Sequence, residues 1–257
     1  MQVIKLLRLD KYLADVGVGT RSEVKKLLKQ GLVSVNNKII KDSSIKVDPD
    51  NDIVTFDGKK LIYQKYHYYM LNKPAGCVSA TKDGLSQTVI EFLKNEPTRD
   101  LFPVGRLDKD TEGLLLITND GMLAHNLLSP KKHVNKSYIA FVDKSLNEKE
   151  ISEFKSGLDI GDETPTLPAG IYVASESEVI KHQNKNLLES NNSVYETAYI
   201  VIIKEGRYHQ IKHMFEHFDS KVVFLKRLSM GKLLLDPQLQ PGDYRNLSTE
   251  EITQLKG

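Results

Sequence analysis

The sequence predicts an α+β fold: a small N-terminal α/β module, then a larger domain on an extensive, mainly antiparallel mixed sheet. Three observations predict it. Helix-period and strand-period apolar patterns are mixed along the chain, without internal repeats or long low-complexity stretches. The 257 residues suit one or two domains of about 150 residues. Residues 1–60 also read as a separate unit, leaving 61–257 as the second domain. Hydrophobic residues make up 40% and charged residues 27%, ordinary for a globular protein.

In the first unit, Leu9, Tyr12, Leu13 and Val16 fall at i, i+3, i+4 and i+7, the stripe of an amphipathic helix ended by Gly17 and Gly19. Thr20 and Glu23 make a capping box for a second helix. That helix turns Val24, Leu27 and Leu28 inward, shows Arg21, Lys25, Lys26 and Lys29 outward, and stops at Gly31. Val33–Val35, the pair Asn36–Asn37 and Lys38–Ile40 read as a β-hairpin. Ile45, Val47, Ile53, Val54 and Phe56 supply short strands.

A connector near Lys60–Lys65 leads into the second part. Tyr68–Gly76 reads as a strand ended by a Pro-Gly turn, and Val89–Leu93 as a short helix between loops. Leu114–Ile117 suits a buried strand, broken by Asn119-Asp120-Gly121, after which Met122–Leu128 is helical up to Pro130. Lys136–Val142, Ile171–Ala174, Ala198–Ile203 and Val222–Leu225 are strand-like, and the polar, Asn-rich 181–193 segment reads as a surface loop.

Composition excludes several classes. The single cysteine, Cys77, rules out a disulfide framework and Cys-based zinc modules, and is expected to pack as a small apolar group. No apolar run approaches the ~20 residues that span a bilayer, and the N-terminus lacks the pattern of a signal peptide. A cytoplasmic, reduced protein is expected. The net charge is only +2, but residues 1–30 and 204–232 each hold seven Lys/Arg against three acids. Two basic patches on an acidic body fit either a polyanion-binding protein or two solvated helix faces.

Asp108, Asp110, Glu112 and Gly113 would occupy positions 1, 3, 5 and 6 of a calcium loop. Position 12 is Asn119 where a Glu is needed, and position 9 is Leu116, so that reading fails. Asp110 and Glu112 are instead read as solvated loop charges. His209, His213 and His217 share one face if 209–218 is helical, but no fourth ligand pattern accompanies them, so no metal site is expected.

Two resemblances sharpen this reading. Arg8–Ala14, Gly19–Glu23 and Gly31–Asn36 resemble the RNA-binding module named for small-subunit ribosomal protein four. The resemblance covers residues 6 to about 58, and implies an RNA-binding face carrying Arg8, Lys11, Arg21, Lys25, Lys26 and Lys29. Gly105-Arg106-Leu107-Asp108 with Thr111, Gly113–Leu116 and Thr118–Gly121 resembles the active-site motif of pseudouridine synthases. It is most similar to the branch that modifies one uridine in bacterial ribosomal RNA, and within it to the enzymes acting on the small subunit. Met70–Gly76, Lys136–Tyr138, Thr166–Ala169, Glu205–Phe215, Leu225–Arg227 and Pro241–Arg245 follow the family in order.

That family breaks the bond between ribose carbon 1 and the base nitrogen, turns the base, and rejoins it through its carbon 5. Nothing is oxidised and no water is added, so no cofactor is implied. The resemblance implies Asp108 as the reacting carboxylate, Lys212 as its cationic partner and Tyr138 as the stacking residue that helps move the carbon 5 proton. It further implies Arg106, Leu225, Arg207, His209 and Gln210 as substrate-binding residues. The implied partner of a monomeric enzyme is ribosomal RNA or an assembly intermediate. A large-subunit target, a non-catalytic assembly protein and a metal-dependent RNA hydrolase built on the 108–112 carboxylates are the alternatives.

Overall fold

The computed structural model describes residues 6–94, 96, 100–182 and 195–257. The chain divides into two compact units, one of Met1–His67 with Leu93–Asp100, the other of Tyr68–Phe92 with Leu101–Gly257. The first unit therefore runs past the sequence boundary at residue 60. The cause is packing: the Tyr12 hydroxyl donates to the Leu61 carbonyl (3.3 Å), and the Tyr63 hydroxyl to Asp15 (3.0 Å). The rings of Tyr12 and Tyr63 lie 5.1 Å apart.

The first unit comprises β1 (Leu7–Arg8), α1 (Leu9–Asp15), α2 (Arg21–Lys29), β2 (Val33–Val35), β3 (Lys38–Ile39), β4 (Lys46–Val47), β5 (Val54–Phe56) and β6 (Lys59–Lys60). β1 pairs with β4, and β3-β2-β5-β6 form a four-stranded sheet. Leu9, Tyr12, Leu13, Val24, Leu28, Val33, Val47 and Val54 close the core. The predicted capping box is present at Thr20 and Glu23. Asn36 and Asn37 both have positive φ, 50° and 65°, as a two-residue turn matched to strand twist requires.

The second unit comprises β7 (Tyr68–Lys73), β8 (Phe102–Pro103), β9 (Glu112–Thr118), α3 (Gly121–Leu128), β10 (Lys136–Val142), α4 (Glu148–Phe154), β11 (Gly170–Val173), α5 (Glu176–His182), β12 (Thr197–Ile203), α6 (Gln210–Glu216), β13 (Val222–Met230), β14 (Leu233–Leu234), β15 (Tyr244–Asn246) and α7 (Thr249–Lys256). Val89–Phe92 is a 3-10 turn. Among the described residues, nine strands form one sheet in the order β11-β12-β10-β13-β9-β7-β15, with β14 on β13 and β8 on β9. All its pairings are antiparallel except β13 with β9. At that parallel join a Cβ on Gly113, which has φ +101°, would lie 2.3 Å from the Arg227 carbonyl oxygen. Only glycine lets these two backbones meet.

Three differences from the sequence reading have local causes. β9 starts at Glu112, so Glu112 is a buried strand residue opposite Lys226 and not a solvated loop charge. β13 continues five residues past Leu225 because β10 and β14 pair with it that far. α4, α5 and α7 were not anticipated; Asn147 with Glu150 and Ser248 with Glu251 make capping boxes for the first and last. Of the 181–193 loop, only Lys181 and His182 fall within the described residues, and they end α5. Among the described residues no helix is long and apolar enough to cross a membrane.

Candidate active site

Asp108 sits on the loop that enters β9, and the end of β7 shapes that loop. Lys73, the last residue of β7, is wholly buried. Its Nζ donates to the carbonyls of Pro74 (3.1 Å), Asp108 (3.0 Å), Lys109 (3.3 Å) and Thr111 (2.8 Å). Burial pushes the Lys73 pKa down, against nearby acids that raise it. The Gly76 amide donates to the Lys109 carbonyl and the Thr111 amide to the Asp108 carbonyl. Ser79 Oγ donates to the Leu107 carbonyl and accepts from the Leu107 amide. The loop backbone is thus held from below at nearly every residue, which leaves the Asp108 side chain to face the cleft.

The cleft is open to solvent and is lined by Arg106, Leu107, Asp108, Thr111, Tyr138, Ile203, Arg207, His209, Gln210 and Leu225 among others. Sheet register explains its floor. Tyr138 on β10 lies opposite Val201 on β12 and Arg227 on β13, and Leu225 stands on β13; both lining side chains are buried. Lys212 Nζ, from α6, lies 3.2 Å from Asp108 Oδ2 and 2.7 Å from Asp110 Oδ1. His209 Nε2 lies 3.6 Å from Asp108 Oδ1. Asp108 is one-quarter exposed and Lys212 about one-fifth.

Asp110 is 72% exposed, as a solvated charge should be, but it also shares the cation of Asp108. Partial burial raises the Asp110 carboxyl, while the hydrogen bond and charge of Lys212 outweigh this and hold it below its ordinary range. For Lys212, burial lowers the pKa, and Asp110 with Asp108 more than restore it, so its ammonium is favoured. The arrangement keeps the Lys212 ammonium beside the Asp108 side chain at the cleft.

The other implied substrate-binding residues separate into two groups. Arg106 and Leu225 line the cleft directly; Arg106 has no ion-pair or hydrogen-bond partner among the described residues. Arg207 and Gln210 line it too, but their polar atoms are committed elsewhere. The Arg207 guanidinium reaches Glu205 (3.2 Å), Asp162 (3.3 Å) and the carbonyls of Thr164 (2.5 Å) and Pro165 (2.8 Å). Gln210 donates to Glu205 and accepts from the Arg207 amide. These two brace the cleft wall.

His209 is held with φ +49° at the start of α6. Its ring stacks on Tyr208 (centroids 3.8 Å apart) and, more distantly, on His213 (6.0 Å). Tyr208 is 76% exposed, so the stack ends in a free aromatic face. His217 packs instead against Phe218. Among the described residues no group of three His, Cys, Asp or Glu side chains could hold a metal ion. Cys77 is buried with its thiol near the Pro74 carbonyl (3.4 Å), and burial pushes its pKa up. It packs under the loop.

In the first unit, Arg21, Lys25, Lys26 and Lys29 are all exposed along α2. Arg8 and Lys11 are paired with acids: Arg8 with Asp10 (2.9 Å) and Lys11 with Asp15 (2.6 Å). Sequence reasoning missed Lys73, Ser79, Asp110 and Thr111 as groups that build the site. A lysine closing a strand at a Pro-Gly turn, and Thr111 within the motif around Asp108, were the available signals.

A basic helix face joined in one chain to a cleft with a lysine-paired carboxylate fits an enzyme that acts on a polyanion. Residues 67–217 match the model of the RNA pseudouridylate synthase family, and residues 7–54 that of the S4 domain. The chain belongs to the RNA pseudouridine synthase family. It is 45% identical over 247 residues to an uncharacterized RNA pseudouridine synthase of Bacillus subtilis, covering 96% of this chain and 97% of the relative. It is 35% identical to the ribosomal small subunit pseudouridine synthase A of Vibrio cholerae, over 97% of this chain and 99% of that one. A solved structure described as a pseudouridylate synthase shares 33% identity at a TM-score of 0.64, over 97% of this chain and 99% of that chain.

Proposed function

We propose that this pseudouridine synthase isomerises one uridine of small-subunit ribosomal RNA in the cytoplasm, with Asp108 as the reacting carboxylate. The observation that carries the reading is Asp108 beside Lys212 at 3.2 Å, at the mouth of a cleft floored by Tyr138 and Leu225. A uridine in folded RNA has to leave its stack to enter such a cleft, at a cost of a few kcal/mol. Arg106, exposed at the rim, meets the displaced strand. Tyr138 gives the base an aromatic face, and its phenol suits transfer of the carbon 5 proton. Lys212, 3.2 Å from Asp108 Oδ2, holds that side chain in place while the base is detached and turned. Small-subunit relatives covering nearly the whole chain support that choice of RNA. The α2 face of Arg21, Lys25, Lys26 and Lys29 supplies affinity for structured RNA.

The test uses small-subunit and large-subunit ribosomal RNA, and small-subunit assembly intermediates, tritiated at uridine carbon 5, with EDTA present. The expected result is release of about one tritium per small-subunit RNA or particle by the wild type. Asp108→Asn should release none while binding RNA within a few-fold of wild type. Release from the large-subunit RNA alone would move the target. Full turnover by Asp108→Asn would remove Asp108 from the chemistry.

A further inference from the structure

Of the polar side chains lining the cleft, most already have partners. Asp108 is paired with Lys212, and Arg207 and Gln210 are committed to Glu205 and its surroundings. Thr111 differs. It is 1% exposed, it lines the cleft three residues from Asp108, and its Oγ1 has no hydrogen-bond partner among the described residues. Its backbone cannot swing away to find one. The amide is bound to the Asp108 carbonyl and the carbonyl to Lys73 Nζ. The other two orphaned buried side-chain atoms among the described residues, Asn72 Oδ1 and Arg227 Nη2, belong to residues that do not line the cleft.

A buried hydroxyl without a partner lowers the stability of the folded state, because it has given up its bonds to water. A threonine held in this way at the reacting centre is worth its cost when a ligand completes it. We propose that Thr111 Oγ1 is a substrate-contacting group that hydrogen-bonds the uridine nucleotide seated against Asp108. The inference rests on the pseudouridine-forming reading and deepens it, since it assigns the polar group that reads the reacting nucleotide. Substrate recognition then comes from the catalytic loop itself, and the conspicuous polar residues of the 205–210 segment act as its frame. Loop and ligand are coupled: the hydrogen-bond net that fixes Asp108 also fixes the hydroxyl, so one clamp sets both groups.

Valine matches the shape of threonine and lacks the hydroxyl, which makes the test two-sided. Wild type, Thr111→Val and Thr111→Ser are compared by thermal melting, by RNA affinity and by single-turnover tritium release at saturating RNA. Thr111→Val should melt at or above the wild-type temperature and bind RNA within a few-fold. Its single-turnover rate should fall about tenfold, the size of one hydrogen bond lost at the reacting centre. Thr111→Ser should turn over within about threefold of wild type. Turnover of Thr111→Val at the wild-type rate would overturn the proposal. So would a fall in melting temperature that parallels the loss of rate, because the hydroxyl would then be holding the loop. Absence of turnover by the wild type on every ribosomal RNA and particle would instead defeat the reading of the reaction, and this inference with it.

Discussion

The outward face of α2 and the loop that carries Asp108 are both rich in charge, and they handle it in opposite ways. On α2, Arg21, Lys25, Lys26 and Lys29 stand in solvent while Val24 and Leu28 hold the helix to its core. Around Asp108 the less exposed charges have partners within hydrogen-bonding reach, Lys73 on four carbonyls and Lys212 on two carboxylates, and Arg106 alone of the nearby cations is left exposed at the rim without one among the described residues. Exposed uncompensated cations suit a polyanion whose own counterions they replace, and the strength of that grip depends on salt. Compensated charges in a half-closed cleft suit chemistry, where position and ionisation state matter more than the amount of charge. The same residue type therefore has two uses in this chain, distinguished by burial.

The largest expected effect tests the compensated side. Lys73→Met removes a buried donor shared by four carbonyls. It should cost the larger unit about 3 kcal/mol, a fall of roughly 6–12 °C in its melting transition. Turnover should collapse with it, and the RNA affinity conferred by α2 should persist. Loss of RNA affinity in step with the melting temperature would mean the two regions are not separable.

Next comes the exposed side. Changing Arg21, Lys25 and Lys29 together to alanine should weaken RNA binding about 10- to 100-fold at low salt, and flatten the slope of log affinity against log salt by about two. The single-turnover rate at saturating RNA should stay at the wild-type value. An unchanged slope would show that α2 is not the grip.

Between the two lies the ring stack at the cleft rim. Tyr208→Ala removes an exposed aromatic face that touches only His209 and His213 among the described rings. A base stacked there contributes about 1–3 kcal/mol, so kcat/KM should fall at least several-fold, with Tyr208→Phe close to wild type and stability unmoved. An equal loss in Tyr208→Phe would point to the hydroxyl and away from stacking.

How much of this was legible in the sequence depended on whether the signal was local. The Thr20–Glu23 box, the Asn36–Asn37 turn and the apolar stripe of α1 are short-range patterns, and they appear in the structure as read. Asn147–Glu150 and Ser248–Glu251 carry the same local signature, yet polar helices such as α4 and α7 lack a long apolar stripe and went unnoticed. The site divides in the same way. Asp108, Tyr138 and Lys212 were named through motif order, and the structure brings Asp108 and Lys212 to 3.2 Å although they are over one hundred residues apart. The frame was not legible. That Arg207 turns to Glu205 and Asp162, or that Lys73 reaches under the loop, depends on the tertiary path of the backbone, which no spacing rule contains.

Asp110 gives the smallest and most discriminating measurement, because it has a foot in both regimes: exposed like α2, paired like Asp108. Its carboxyl lies below the ordinary value of 3.8 through its bond to Lys212, which outweighs the effect of burial. A carboxyl lowered in the folded state stabilises it above the unfolded pKa, and that contribution disappears as pH falls through the folded value. The melting temperature of the wild type should therefore exceed that of Asp110→Asn by a small, constant margin at pH 6–7. The margin should close as the pH drops below about 4. An exposed ion pair is worth under about 1 kcal/mol, so the margin should be no more than a few degrees. Turnover at neutral pH should change by no more than a few-fold, since Lys212 still faces Asp108. A loss as large as that of Asp108→Asn would mean that exposure is a poor guide here, and that both carboxylates on Lys212 take part in the reaction.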